Sequence, residues 1–290
     1  MMKIHLFIFS YFVFICNLQA KEYEFDIKTK VDINDFSKRS TKSFQKEQIE
    51  FKSLSKHKYS EAVKILNKAI SKYPNKNIFQ NLSTIYLLDE IKQYSHLISG
   101  LYMDEENVIF LTYIDTLSCS CEDENFDLSA YELESTFHHE FNHHLIDVHF
   151  DNYEQKEKKE WKTKTKNTFF YLWTEYDLLK YSRNWKDEKK RMDNIYKKDT
   201  VSRYFFNENG YLTGYASVSF DEDIAVTSEN MFMNRTDFWK FINENDYNMW
   251  GEDSDTGEEI NPLLRKIRLT AKFYNFIEPE FSLEYFKSLK

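Results

Sequence analysis

The sequence predicts an α+β fold, with a small twisted sheet in an N-terminal lobe, a long helix carrying a histidine cluster, and a mainly helical C-terminal lobe. Three observations predict it. Residues 83 to 88 and 98 to 114 are rich in β-branched and aromatic side chains, and Asp104-Glu105-Glu106-Asn107 places a polar turn inside the second stretch, as a hairpin requires. Residues 59 to 73 space Ala62, Val63, Ile65, Leu66, Ala69 and Ile70 at helical intervals and end before Pro74. Gly occurs 5 times and Pro 3 times, so few sharp turns are forced and long helices are allowed.

Met1-Met2-Lys3 precedes an apolar run from Ile4 to Cys16, followed by Asn17-Leu18-Gln19-Ala20 and the charged Lys21. Residues 1 to 20 therefore read as a signal peptide cleaved after Ala20, too short for a comfortable membrane span. Export to a secreted, periplasmic or cell-surface location is expected, with no transmembrane segment in the mature chain. A lipid anchor on Cys16 is disfavoured, because Phe14 and Ile15 stand where a lipobox needs a small residue. Residues 21 to 58 are rich in Lys, Asp, Ser and Gln with little periodicity, and read as a mobile N-terminal segment. One domain is expected from 59 to 290. Net charge is −9, or −10 once Lys3 leaves with the signal segment, and this argues against a binder of nucleic-acid backbones.

The chemistry concentrates in one helix. Ser129-Ala130-Tyr131-Glu132 has capping-box form, and no Gly or Pro follows as far as Asp151. Five of the eight histidines fall between 138 and 149, and His139-Glu140-Phe141-Asn142-His143 spells HExxH. Four residues make about one helical turn, so His139 and His143 can grip one zinc ion while Glu140 reaches the water it activates. At about 100° per residue, Leu133, Phe137, Phe141 and Leu145 form an apolar stripe, and the 139/143 pair falls on the far side. His138, His144 and His149 read as solvated or hydrogen-bonded side chains.

A catalytic zinc normally has three protein ligands, so a third should lie downstream. Ile146 stands where the HExxHxxGxxH extension requires Gly, although His149 is in register with its last His, and a carboxylate on a later helix is favoured. The richest segment is Gly214-Tyr215-Ala216-Ser217-Val218-Ser219-Phe220-Asp221-Glu222-Asp223-Ile224-Ala225. A helix capped by Ser219 would hold the three acids in its first turn and bury Ile224 and Ala225. Capping alone leaves the three acids open; with the spacing from Tyr215 that the resemblance below supplies, Glu222 is the favoured ligand and Asp223 the second choice.

The HExxH run together with Tyr215, seven residues before Glu222, and the Glu222-Asp223-Ile224-Ala225 sequence resembles zinc metallopeptidases of the gluzincin type. The nearest resemblance is to lethal-factor-like peptidases and to zinc-binding metallopeptidases among secreted bacterial proteins. It covers the motif helix, the Tyr-to-Glu segment and the general order of residues 59 to 290. It implies a zincin-like fold, zinc held by His139, His143 and Glu222, Glu140 as general base, Tyr215 as hydroxyl donor to the reacting carbonyl, and a peptide or protein substrate. The family commonly carries a further Glu where this chain has Val226, which leaves Asp221 or Asp223 to orient an imidazole. In such peptidases an edge strand beside the active-site helix pairs with the substrate backbone, and residues 108 to 114 are the candidate.

The rest is less informative. From Asp151 to Lys198 the chain is highly charged around an apolar centre at 169 to 179, and reads as a helical insertion over the cleft. Residues 238 to 242 and 263 to 274 read as helices joined by an acidic loop that fails the EF-hand pattern. Cys119 and Cys121 read as loop cysteines. The rival reading is a non-catalytic zinc-binding or pseudo-peptidase surface protein; Glu140 argues against it, because structural zinc needs no base.

Overall fold

Burial on both faces of two neighbouring strands organises the N-terminal half. The computed structural model describes residues 25–115, 126–161, 212–213, 215–217, 219–233, 238–239, 252–253, 258–259 and 262–289. The chain runs through β1 (Asp26–Lys28), α1 (Lys38–Lys46), β2 (Glu50–Ser53) and α2 (Tyr59–Ser71), then β3 (Thr84–Gln93), β4 (His96–Ile98), β5 (Gly100–Met103) and β6 (Val108–Thr112). Next come the long helix α3 (Leu128–Trp161), α4 (Phe220–Met233), a small ribbon of β7 (Glu252–Asp253) and β8 (Glu258–Glu259), α5 (Pro262–Ile277) and α6 (Leu283–Ser288). The protein is thus α+β, with a small mixed sheet and helices.

The sheet order is β1-β3-β6-β5, with β1 and β6 parallel to β3 and β5 antiparallel to β6; β2 and β4 pair with the far half of β3. Side chains alternate across a strand, so Ile85, Leu87, Ile109 and Leu111 face one core, while Tyr86, Leu88, Val108 and Phe110 face another. The first core holds the apolar faces of α2 and α3. Phe44 of α1 closes the second, where Tyr86 stacks on Phe110 with centroids 4.9 Å apart. The expected hairpin is present: Asp104–Glu106 form a 3₁₀ turn between β5 and β6, and Asn107 takes the left-handed backbone at φ 53°. A second hairpin joins β3 to β4 through Tyr94 and Ser95, both at positive φ as a type I′ turn requires, without its usual Asn-Gly.

Two expectations need correction. Residues 26 to 53 are not a mobile segment: β1 and β2 pair with β3, and Phe44 is 3% exposed. Their strands are short and charged, so the pairing depends on distant β3 rather than local pattern. Residues 108 to 114 do not form the edge either, because β6 lies between β3 and β5. Its unbroken Val-Ile-Phe-Leu run is the mark of a strand buried on both faces. Among the described residues the outer strand on that side is β5.

The expected leader (1 to 20), Cys119, Cys121 and the charged stretch beyond 161 lie outside the described residues. Among the described residues no helix is long and apolar enough to cross a membrane.

Candidate metal centre

Helix α3 starts two residues earlier than the capping-box pattern suggests. Asp127 accepts the Ala130 N–H at 2.9 Å, and Ser129 is buried inside the first turn. The apolar stripe forms as its spacing requires: Leu133, Phe137, Phe141 and Leu145 are all buried. The opposite stripe, from Glu132 through Ser135, His139 and His143 to Asp147, faces a cleft of about 1090 Å³. Edge strand β5 forms one wall and the start of α4 another.

Helix α4 is capped by Ser219, whose hydroxyl accepts the Glu222 N–H at 3.2 Å, while Ile224 and Ala225 are fully buried. That cap aims Glu222 at α3. Glu222 Oε2 lies 3.1 Å from His139 Nε2 and 3.5 Å from His143 Nε2, and the two imidazole nitrogens are 3.2 Å apart. The ligand atoms of His139, His143 and Glu222 all lie within 4.8 Å of one another, so this group could hold a metal ion. Tyr215 donates to the other oxygen, Oε1, at 2.8 Å. One carboxylate oxygen is thereby engaged and the other is turned to the imidazoles.

The electrostatics agree with a cation site. Burial opposes charge on His139, yet hydrogen bonds to Glu222 and Glu229 outweigh it and hold the imidazole well above its ordinary pKa. Burial likewise opposes the Glu222 carboxylate, and the two imidazoles pull its pKa well below the usual range. Carboxylates that draw a proton onto an imidazole at this spot are the charges a divalent ion would neutralise. Glu140 differs: burial raises its pKa against the pull of His139 and His143.

Asp223, the second choice as ligand, turns away. Its Oδ2 sits 2.6 Å from Lys266 Nζ, both side chains being 1% exposed, and the pair joins α4 to α5. Neither it nor Asp221 orients an imidazole. That position belongs to Glu229, whose Oε2 is 3.2 Å from His139 Nδ1 and whose Oε1 accepts from Ser135 at 2.5 Å. Glu229 was missed, although seven residues past Glu222 is about two helical turns and hence the same face. Beneath the site, Tyr274 receives Asn142 Nδ2 at 2.9 Å and meets Ser228 Oγ at 2.7 Å, tying α3, α4 and α5 together.

The remaining motif histidines are core groups. His138 is fully buried, hydrogen-bonded through Nδ1 to Tyr73 at 2.9 Å and stacked on Phe232. His144 is also fully buried, between Tyr102 and the Gln80 carbonyl, and burial lowers its pKa to about 4.

No known protein family, no curated protein and no solved structure matches this chain.

Proposed function

We propose that the chain is an exported zinc-dependent peptidase of zincin-like fold, in keeping with its resemblance to gluzincin metallopeptidases. One observation carries the reading: an HExxH helix brings His139 and His143 within ligand reach of a downstream Glu222, beside a buried Glu140, in a cleft walled by β5, the outer strand among the described residues. The donor set of two imidazoles and one carboxylate fits zinc. Zinc held by these three residues would supply Lewis acidity, polarising a peptide carbonyl and acidifying water towards a pKa of about 7.

The remaining chemistry falls to the protein's own groups. Glu140, its pKa raised by burial, takes a proton from the attacking water and delivers it to the leaving amine. Tyr215, in reach of the Glu222 carboxylate, turns its hydroxyl to the carbonyl oxygen as negative charge builds there. Glu229 and Ser135 fix the His139 ring so that Nε2 faces Glu222, where it would serve as a metal ligand. Strand β5 holds the substrate. Thr112 N–H donates to the Ser99 carbonyl, so by alternation the peptide groups of Gly100 and Tyr102 point away from β6 and towards the cleft. An extended peptide adds to that edge without its sequence being read.

The test is metal analysis of the chain from residue 21, followed by digestion of a peptide library. One zinc per chain and chelator-sensitive cleavage are expected. Bound zinc without cleavage of any peptide would favour the non-catalytic alternative, and absence of metal binding would overturn both.

A further inference from the structure

The mechanism assigns Glu140 a role but leaves open what holds its carboxylate, since α3 gives it no side-chain hydrogen-bond partner of its own. The contacts that fit it come from the strand. A Cβ added at Gly100 would lie 2.6 Å from Glu140 Oε1, 2.7 Å from Glu140 Cγ and 2.5 Å from Thr136 Cγ2, distances that real Cβ atoms essentially never show. The strand can approach the helix this closely only because residue 100 has no side chain. Two residues on, the Tyr102 hydroxyl lies 3.1 Å from Asp147 Oδ2 and 3.3 Å from His144 Nδ1, both on α3, and 3.2 Å from Asn107 Oδ1 at the hairpin turn. These bonds fasten β5 to the helix one turn beyond His143.

We propose that β5 is the positioning element of Glu140: the Tyr102 hydroxyl clamps the strand to α3, and the bare Cα of Gly100 leaves the carboxylate its place. Gly100 and Tyr102 act through Glu140 and are positioning residues. The inference rests on Glu140 being the base, but its geometric half stands apart from catalysis.

The experiment therefore has two readouts. Crystal structures of the wild-type and Gly100→Ala proteins show where the carboxylate goes; we expect Glu140 to be displaced while β5 and the two imidazoles keep their places. Kinetics on a cleaved peptide should show kcat lowered by about 10²-fold, the cost of misplacing a reacting group by about 1 Å, with zinc content unchanged. Thr136→Ser in the same background removes only the Cγ2 contact and should not restore the rate. Adding Gly100→Ala to Glu140→Gln should cost nothing further, because the group acted upon is already gone. Should Gly100→Ala fail to fold, Tyr102→Phe keeps the ring and loses the clamp, and kcat should fall about tenfold for the lost hydrogen bonds. A Glu140 that stays in place while the strand shifts, restoration by Thr136→Ser, or equal losses with and without Glu140 would overturn the proposal. If no peptide is cleaved by the wild type, the peptidase reading fails, and displacement of Glu140 in the crystal still decides the positioning claim.

Discussion

Glu229 reaches His139 from two turns beyond Glu222: its Oε2 lies 3.2 Å from Nδ1, on the side of the ring opposite the nitrogen that faces Glu222. The imidazole is thus held between two carboxylates of one helix. Truncating Glu229 to Ala should weaken metal affinity by about 10- to 100-fold, the usual cost of losing the partner of a ligating His, without removing the site. Competition with a chelator of known affinity measures this. Affinity unchanged from wild type would show that the ring is oriented by packing alone.

Tyr215 touches Glu222 Oε1 and so has two roles to separate. If its hydroxyl serves the reacting carbonyl, Tyr215→Phe should lower kcat by about 10² to 10³, the range for one oxyanion donor, with KM and zinc content little changed. Loss of zinc with an undiminished rate per bound metal would make it an orienting group for Glu222 instead.

The Asp223–Lys266 pair is a structural element, buried between α4 and α5. Lys266→Met removes the cation 2.6 Å from a buried carboxylate and should cost about 3 to 5 kcal/mol in denaturant unfolding. Replacing both, Asp223→Leu with Lys266→Met, should recover much of that loss. A single variant within about 1 kcal/mol of wild type would contradict the pairing, since small changes are typical of exposed sites.

Alkaline pH should loosen the joint under the candidate metal site. Burial raises the Tyr274 hydroxyl to about 12, even though its bonds to Ser228 and Asn142 pull the other way. The folded chain holds this proton longer than the unfolded chain, where tyrosine titrates near about 10. Its contribution to stability is therefore complete below about 10 and is lost as pH rises through about 12. Tyr274→Phe should make the fall of stability with pH shallower in that window; an unchanged slope would place the titration elsewhere.

Legibility followed the range of the interactions. The stripe from Leu133 to Leu145, the Ser219 cap and the Asp104–Asn107 turn are set by neighbours within a few residues, and each was readable in advance. The strands at 26–28 and 50–53 were not, because Glu50 and Lys52 break the apolar pattern and the partner strand lies about 40 residues from the second and 58 from the first. The same holds for the edge of the sheet: only the parallel pairing of β6 with β3 makes 108–112 internal and leaves Gly100–Met103 outside. The clustering of His139 with His143 was legible from their spacing, and that of Glu222 with them from the family resemblance. Glu229 was missed although its i+7 offset puts it on the face of Glu222, and Asp223 misled because its partner Lys266 is on another helix.

The most direct test is calorimetric titration of zinc into the metal-free chain from residue 21, for wild type, Glu222→Ala and Glu140→Gln. The account predicts one site per chain in the wild type, a similar site in Glu140→Gln, and a large loss of affinity in Glu222→Ala. Equal binding by wild type and Glu222→Ala, or equal loss in both variants, would contradict the assignment of His139, His143 and Glu222 as the ligands and of Glu140 as a group that holds no metal.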